Sequence, residues 1–318
     1  AIISVDNLTD REKFAILAFY AVNVENDIDK GIEYTKRRVA LYPDDPAAHH
    51  NLGWYFQNQG HYDMALDEYK RTLHIDPYII LTNSGIIRIY MENYGQIDSA
   101  LVWSNRMIDY SPDNPWGYFY LGSCYIGLNE FEQAEAAYLK AVDLNPGFLI
   151  NQYRLAHDYR LDGRYDKASE FLQSILQKYS QESSAHYDLG INYNLLGKSE
   201  TARGHFLEYR KTAKKWLDDY SNDPKSYIYN GIILTHLGEK DAGWETGKRA
   251  MELDSTIYFE YTKLLAVQGR KSEALDYLEK GLEHGYRDLV WIKLHPDLQV
   301  LHEEERFKDL INSYFTGL

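Results

Sequence analysis

The chain has 318 residues, 44% hydrophobic and 26% charged, and its 34 lysines and arginines stand against 48 aspartates and glutamates for a formal net charge of −14. That balance is the opposite of what a nucleic-acid or anionic-membrane surface requires, and the apolar runs are too short to cross a bilayer. A single cysteine, Cys124, excludes an internal disulfide and a cysteine-based zinc site.

The opening stretch AIISVDNLTD lacks the charged start and apolar core of a signal peptide and reads as trimmed from something longer. Asn7-Leu8-Thr9 within it fits a glycosylation sequon, a match that is common by chance. Residues 47–58 carry Leu52, Tyr55 and Phe56 on one stripe, and residues 62–73 carry Tyr62, Ala65, Leu66, Tyr69 and Leu73 on another. Spacing of three and four predicts two helices and excludes a strand. Sixty-nine residues on, the same side chains return: Leu52 matches Leu121, Gly53 matches Gly122, Ala65 matches Ala134, Tyr69 matches Tyr138 and Pro77 matches Pro146. The charged residues between them drift, as a water-facing side permits.

The pattern runs the length of the chain. A glycine or asparagine marks the turn inside each unit at Asn26, Gly60, Gly95, Asn129, Gly163, Gly197, Gly238 and Gly269, in steps of 34, 35, 34, 34, 34, 41 and 31 residues. A small residue follows about five positions later, at Gly31, Ala65, Ala100, Ala134, Ala168, Ala202, Ala242 or Gly243, and Ala274. Asp45-Pro46, Asn114-Pro115 and Asp223-Pro224 each place a capping side chain before a proline at the first helical position. A period near 34 sustained over eight units predicts a solenoid of helical pairs.

Two places depart from the period. The long step from Gly197 to Gly238 falls in FLEYRKTAKKWLDDYSNDP, read as a second helix extended by about two turns and carrying Tyr209, Trp216, Leu217 and Tyr220. After Gly285 a short helix, a break at Pro296 and a final helix with Phe307, Leu310, Ile311 and Tyr314 facing inward are predicted to cap the array.

The set Leu52-Gly53, Phe56, Gly60, Tyr62, Ala65, Tyr69 and Pro77 resembles the tetratricopeptide repeat, as do residues 115–146, 149–182 and 183–210. Residues 10–43 look like a degenerate first unit, residues 80–114 have Ile87-Arg88 where Leu-Gly is expected, and residues 224–254 have Asn230-Gly231 and a glycine-rich second helix around Gly243. The resemblance implies an all-α fold: a right-handed superhelical solenoid of about eight such hairpins with a C-terminal capping helix. The expected divisions are a degenerate hairpin over 1–45, a regular array over 46–223, divergent units over 224–285 and a cap over 286–318. Similar endings occur on arrays at the C-terminal ends of bacterial regulators and receptor-like kinases.

No catalytic constellation survives inspection. GKSE at 197–200 resembles the tail of a phosphate-binding loop, but Asn192 stands where that loop needs a glycine, and the segment joins two helices. His49 and His50 are adjacent on a helix and point about 100° apart, so a structural histidine is the better reading than a metal pair. HEEER at 302–306 reads as a solvated face, and Cys124 as a small buried hydrophobe. The expectation is a chain that is not an enzyme and takes no cofactor and no metal.

What remains is surface. The resemblance implies that the first helix of each unit lines a concave groove, and its groove-facing places carry His50, Asn51, Trp54, Trp116, Phe119, Tyr120, Tyr153, Arg154, His157, Arg160, Tyr187 and Asn194. Trp54, Trp116, Phe119 and Tyr153 are large apolar groups at places that packing does not require, which suggests an interaction site. The alternative is that they widen the core between repeats. The family's clamp for a C-terminal carboxylate is absent, because its places carry His50, Trp54 and Ile86. The implied function is a non-catalytic scaffold binding an extended peptide or helix of a protein partner, with no nucleic acid and no membrane insertion. The alternatives are a sensory or regulatory arm of a larger bacterial kinase or transcription regulator, and a module that self-associates into a homo-oligomer. The expected setting is the cytoplasm, or a soluble segment of a larger exported or membrane-tethered protein.

Overall fold

The computed structural model describes residues 8–180, 182–219, 222–286 and 288–315, and among them every regular element is a helix. The first helices of successive pairs are α1 (Asp10–Asn23), α3 (Pro46–Asn58), α5 (Ile80–Arg88), α7 (Pro115–Gly127), α9 (Leu149–Leu161), α11 (Ser183–Leu195), α13 (Pro224–His236) and α15 (Tyr258–Val267). Their second helices are α2 (Ile28–Leu41), α4 (Tyr62–Ile75), α6 (Ile97–Tyr110), α8 (Phe131–Leu144), α10 (Tyr165–Lys178), α12 (Ser199–Asp219), α14 (Lys240–Leu253) and α16 (Lys271–Glu283). The chain divides into two compact units, the first ending at Cys124 and the second beginning at Tyr125.

The turn residues do what the spacing predicts. All eight, Asn26 and Asn129 included, lie at positive φ, between 55° and 88°. That left-handed conformation reverses the chain after one helix, and glycine or asparagine reaches it with little steric cost. Asp45 and Asp223 accept hydrogen bonds from the first free amides of α3 and α13, and Asn114 accepts one from the Trp116 amide.

In the first unit the repeat's small residues make room for one ring. A Cβ on Gly53 would stand 2.6 Å from the Tyr69 ring, and one on Gly85 would stand 2.8 Å from it. The buried Tyr69 of α4 therefore packs between α3 of its own pair and α5 of the next, and its hydroxyl donates to Gln57 Oε1 at 2.8 Å. Gly85 faces the preceding pair, so the Leu-Gly place of its own unit stays with Ile87-Arg88. Beyond it α5 runs into a π-helical turn, Ile89–Asn93, that falls within the one-residue-longer step between Gly60 and Gly95.

In the second unit Gly190 seats the Phe206 ring in the same way. The backbones of α13 and α14 meet at Gly231 and Gly243, where a Cβ on either would come within 2.7 Å of the other's carbonyl oxygen. α12 has 21 residues against 14 in α10, the predicted extension; Trp216 on it is exposed, and Tyr220 lies outside the described residues, as does Asn7 of the sequon.

The C-terminal segment comprises α17 (Leu289–Leu294), a 3-10 turn over Pro296–Leu301 and α18 (Glu305–Phe315). Phe307, Leu310, Ile311 and Phe315 of α18 are buried with Leu275, Leu278 and Leu282 of α16, and Tyr314 packs at the edge of the cluster. That is the predicted cap. The stretch before it joins the same cluster through Ile292, Leu298 and Leu301, and in addition the 3-10 turn packs on α15 and α17 lies against side chains of α9.

Candidate functional site

In the first unit, His50, Trp54 and Gln57 follow one another at helical spacing along α3. Trp54 remains 45% exposed, with its ring edge-on to Tyr55 at 5.4 Å. His50 is half-buried; its Nδ1 lies 2.8 Å from the Thr82 hydroxyl of α5, and its ring packs on Tyr69. Burial holds His50 below its usual pKa, so it is neutral near pH 7. Asn51 is half-buried beside it. On α7, Trp116 is half-buried and stacks on Tyr120 at 5.9 Å, with Phe119 edge-on at 5.4 Å. Phe119 and Tyr120 themselves are only 6% and 8% exposed. The sequence expects all three rings to face a groove; the structure leaves Trp116 the most open of them and packs the other two, because rings at adjacent positions and one turn apart stack on one another.

In the second unit, the expected groove residues of α9 and α11 meet another part of the same chain. The His157 ring lies 4.5 Å from that of Trp291 on α17, and the Arg154 guanidinium sits 5.1 Å from the same indole. Six residues along, Asp297 reaches α11 and α13: the Tyr187 hydroxyl donates to its Oδ2 at 2.8 Å, and His236 Nε2 lies 3.3 Å from its Oδ1. His295 is buried beside Phe259 of α15, and its Nδ1 accepts the Asp297 amide, which caps the 3-10 turn. Arg160 is buried and donates to Asp188 Oδ1 at 2.9 Å. Tyr153 is half-buried, and Asn194 lies exposed at the end of α11.

The electrostatics follow from this burial. Removal from water would raise the Asp297 carboxyl, but the side-chain hydrogen bonds from His236 and Tyr187 hold it well below the carboxylate range. Burial, opposed by Asp297 and reinforced by Lys263 and Arg160, lowers His295 to about 3, so the ring is neutral. His157 is lowered in the same direction by burial and by Arg160 and Arg154. Trp291, His295, Asp297 and His236 were not among the residues expected from sequence. The only local signal was a tryptophan and an aspartate in a segment already assigned as a cap, and Tyr187 and Asp297 are 110 residues apart.

The other candidates take ordinary roles. His49 is buried, with Nδ1 2.5 Å from Glu68 and Nε2 2.8 Å from the Pro43 carbonyl. GKSE spans the turn between α11 and α12, and Lys198 reaches Asp166 at 3.4 Å. Glu304 and Arg306 of HEEER pair with Lys271, Asp276 and Glu279 of α16. Cys124 is fully buried near Ser104 and Met91, and burial pushes its thiol up to about 11. Among the described residues no group of three or more His, Cys, Asp or Glu is arranged to hold a metal ion, and no helix is long and apolar enough to cross a membrane.

Residues 46–79 and 115–148 each match the tetratricopeptide repeat model. A TPR repeat-containing protein from Methanocaldococcus jannaschii is 27% identical over 226 residues, covering 67% of this chain and 37% of that protein. The BBSome complex member BBS4 from Bos taurus is 22% identical over 283 residues, covering 88% of this chain and 52% of that protein. The chain thus spans between about a third and a half of the length of these relatives. A crystal structure of a tetratricopeptide repeat protein from Parabacteroides merdae superposes with a TM-score of 0.60 at 19% identity, over 82% of this chain and 99% of that one, which is a likeness of fold. With eight glycine- or asparagine-turned helical pairs among the described residues and model matches at 46–79 and 115–148, the chain carries tetratricopeptide repeats and has the all-α fold of a repeat solenoid.

Proposed function

We propose that the chain is a non-catalytic scaffold that binds an extended peptide or short helix of a protein partner on the first helices of its repeats. The observation that carries this reading is the engagement of first-helix side chains of the second unit, Arg154, His157, Tyr187 and His236, by a polypeptide segment, with an aromatic ring and a carboxylate as its two points of attachment. The first unit supports it with Trp54, a large ring left in water at the corresponding face of α3. Tryptophan is over-represented among the few residues that dominate binding energy, because one rigid side chain buries a large area.

The test is a peptide-display selection on the full chain, counter-screened on the Trp54→Ala variant. Selected peptides that bind the parent and lose about 30-fold or more in affinity on the variant, as an anchor worth roughly 2 kcal/mol would require, support the reading. Failure to enrich any sequence whose binding depends on a first-helix side chain overturns it.

A further inference from the structure

The segment lying on the second unit is gripped in two different ways. Ile292 of α17, with Leu298 and Leu301 downstream, is fully buried in the cluster formed with α15, α16 and α18, as a cap requires. Trp291 and Asp297 are held in addition by the first-helix face. Arg154 and His157 take the Trp291 ring, and Tyr187 and His236 take the Asp297 carboxylate. A cap needs only apolar cover. A buried carboxylate is costly to bring out of water and binds well only where donors are already in place, so the second grip selects a particular ligand chemistry.

The upstream part is also the weaker element. α17 has six residues, too few for a helix to be stable without its contacts, and it follows Gly285, which sits at a φ of 91°. The polar groups are complementary: the His236 ring faces the Asp297 carboxylate at 3.3 Å, and at Asp288 burial raises the carboxyl pKa while the nearby Arg154 guanidinium opposes that rise.

We propose that the first-helix face of the second unit is a docking surface for a partner segment presenting an indole-like ring and, about six residues on, a carboxylate, and that residues 288–297 of the chain hold this surface closed until such a segment displaces them. This deepens the scaffold reading and rests on it. The cis segment acts at the millimolar effective concentration of a short tether. Against an intrinsic affinity of about 10 μM, that tether makes a free peptide of the same sequence bind about 100-fold more weakly than it would to an open face. A natural partner must therefore bring further contacts, for which the rest of the first-helix surface is available.

The experiment uses the full chain and a fluorescently labelled synthetic peptide with the sequence of residues 286–299. In the W291A/D297A chain, which loses the indole and the carboxylate that the face holds in cis, anisotropy should show binding about 100-fold tighter than to the parent. A peptide carrying Asn in place of Asp297 should lose about 10-fold. A folded double variant that binds the peptide no better than the parent overturns the proposal. Should that variant not fold, hydrogen exchange on the parent decides. The amides of Trp291, Ile292 and His295 should exchange at least about 10-fold faster than those of Ile232 and Ile233 in α13; exchange of both sets in a single step overturns the proposal. Failure here with Trp54-dependent peptide selection intact removes only the docking surface, whereas loss of both removes the scaffold reading.

Discussion

Tyr187 and Asp297 stand 110 residues apart in the chain and share a buried hydrogen bond of 2.8 Å, hydroxyl to carboxylate. Through it the end of the chain is tied to the first helix of a repeat more than three periods earlier. Tyr187→Phe removes one donor to a buried charge while keeping the ring, and should cost about 1.5–3 kcal/mol in urea unfolding. Asp297→Asn keeps the shape but discards the charge that His236 faces, and should also destabilise the fold. In the double variant the two losses should fall short of their sum, because the residues share one interaction. Strict additivity would mean that the bond contributes nothing.

Gly53 is required by the Tyr69 ring rather than by its own backbone. Gly53→Ala should cost about 1–3 kcal/mol, because its Cβ would lie 2.6 Å from a fully buried ring. Combining it with Tyr69→Leu, which withdraws the ring, should return part of that loss. If Gly53→Ala is neutral in chemical denaturation, the close approach of α3 and α4 is not as described.

The two aromatic positions Trp54 and Phe119 should separate cleanly. Trp54, at 45% exposure, should tolerate alanine with a change of less than about 0.5 kcal/mol. Phe119, at 6% exposure, should lose about 3–5 kcal/mol on the same truncation, through the cavity left behind. Thermal unfolding of the two single variants reads the difference directly, and equal losses would contradict it.

Cys124 should be inert in the folded protein. Its thiol is fully buried and pushed up to about 11, so both access and thiolate are lacking at pH 8. A chromogenic disulfide reagent should titrate no thiol in the native chain and one in denaturant. Rapid native reactivity would show that α7 opens on the timescale of the assay.

Two buried groups make opposite contributions to stability across the acid range. His295 is lowered to about 3, so between its unfolded pKa near 6.5 and that value only the unfolded chain takes up its proton, and stability falls as pH falls. Asp158, with both oxygens buried, is raised to about 7 by burial, so between about 7 and its unfolded value near 3.9 only the folded chain takes up the proton, and stability rises as pH falls. Variants separate the two. Asp158→Asn should stabilise the protein most at pH 8, with the gain shrinking toward pH 4. His295→Gln should flatten the loss of melting temperature between pH 6.5 and 4. A constant offset from the parent at every pH, in either variant, would show that the group does not titrate with folding.

The amino-acid sequence by itself determined the repeat. Helical stripes at three and four, turn residues every 34 or so positions, and capping pairs at Asp45, Asn114 and Asp223 are local signals, each written within a few residues of the structure it specifies. The small residues at Gly53 and Ala65 were legible for the same reason, since a close helix approach leaves its mark at both contact points. Where the pattern lapsed, the structure absorbed the change: a π-turn lies where the step is one residue longer. The exposure of the candidate site was not legible. Placing His157, Arg160 and Tyr187 on the first helices followed from the period, but which of them stays in water depended on where residues 288–301 go. Only tertiary structure decides that, because a contact spanning 110 residues leaves no periodicity in the chain, and a tryptophan and an aspartate near a proline read the same whether they face solvent or another helix.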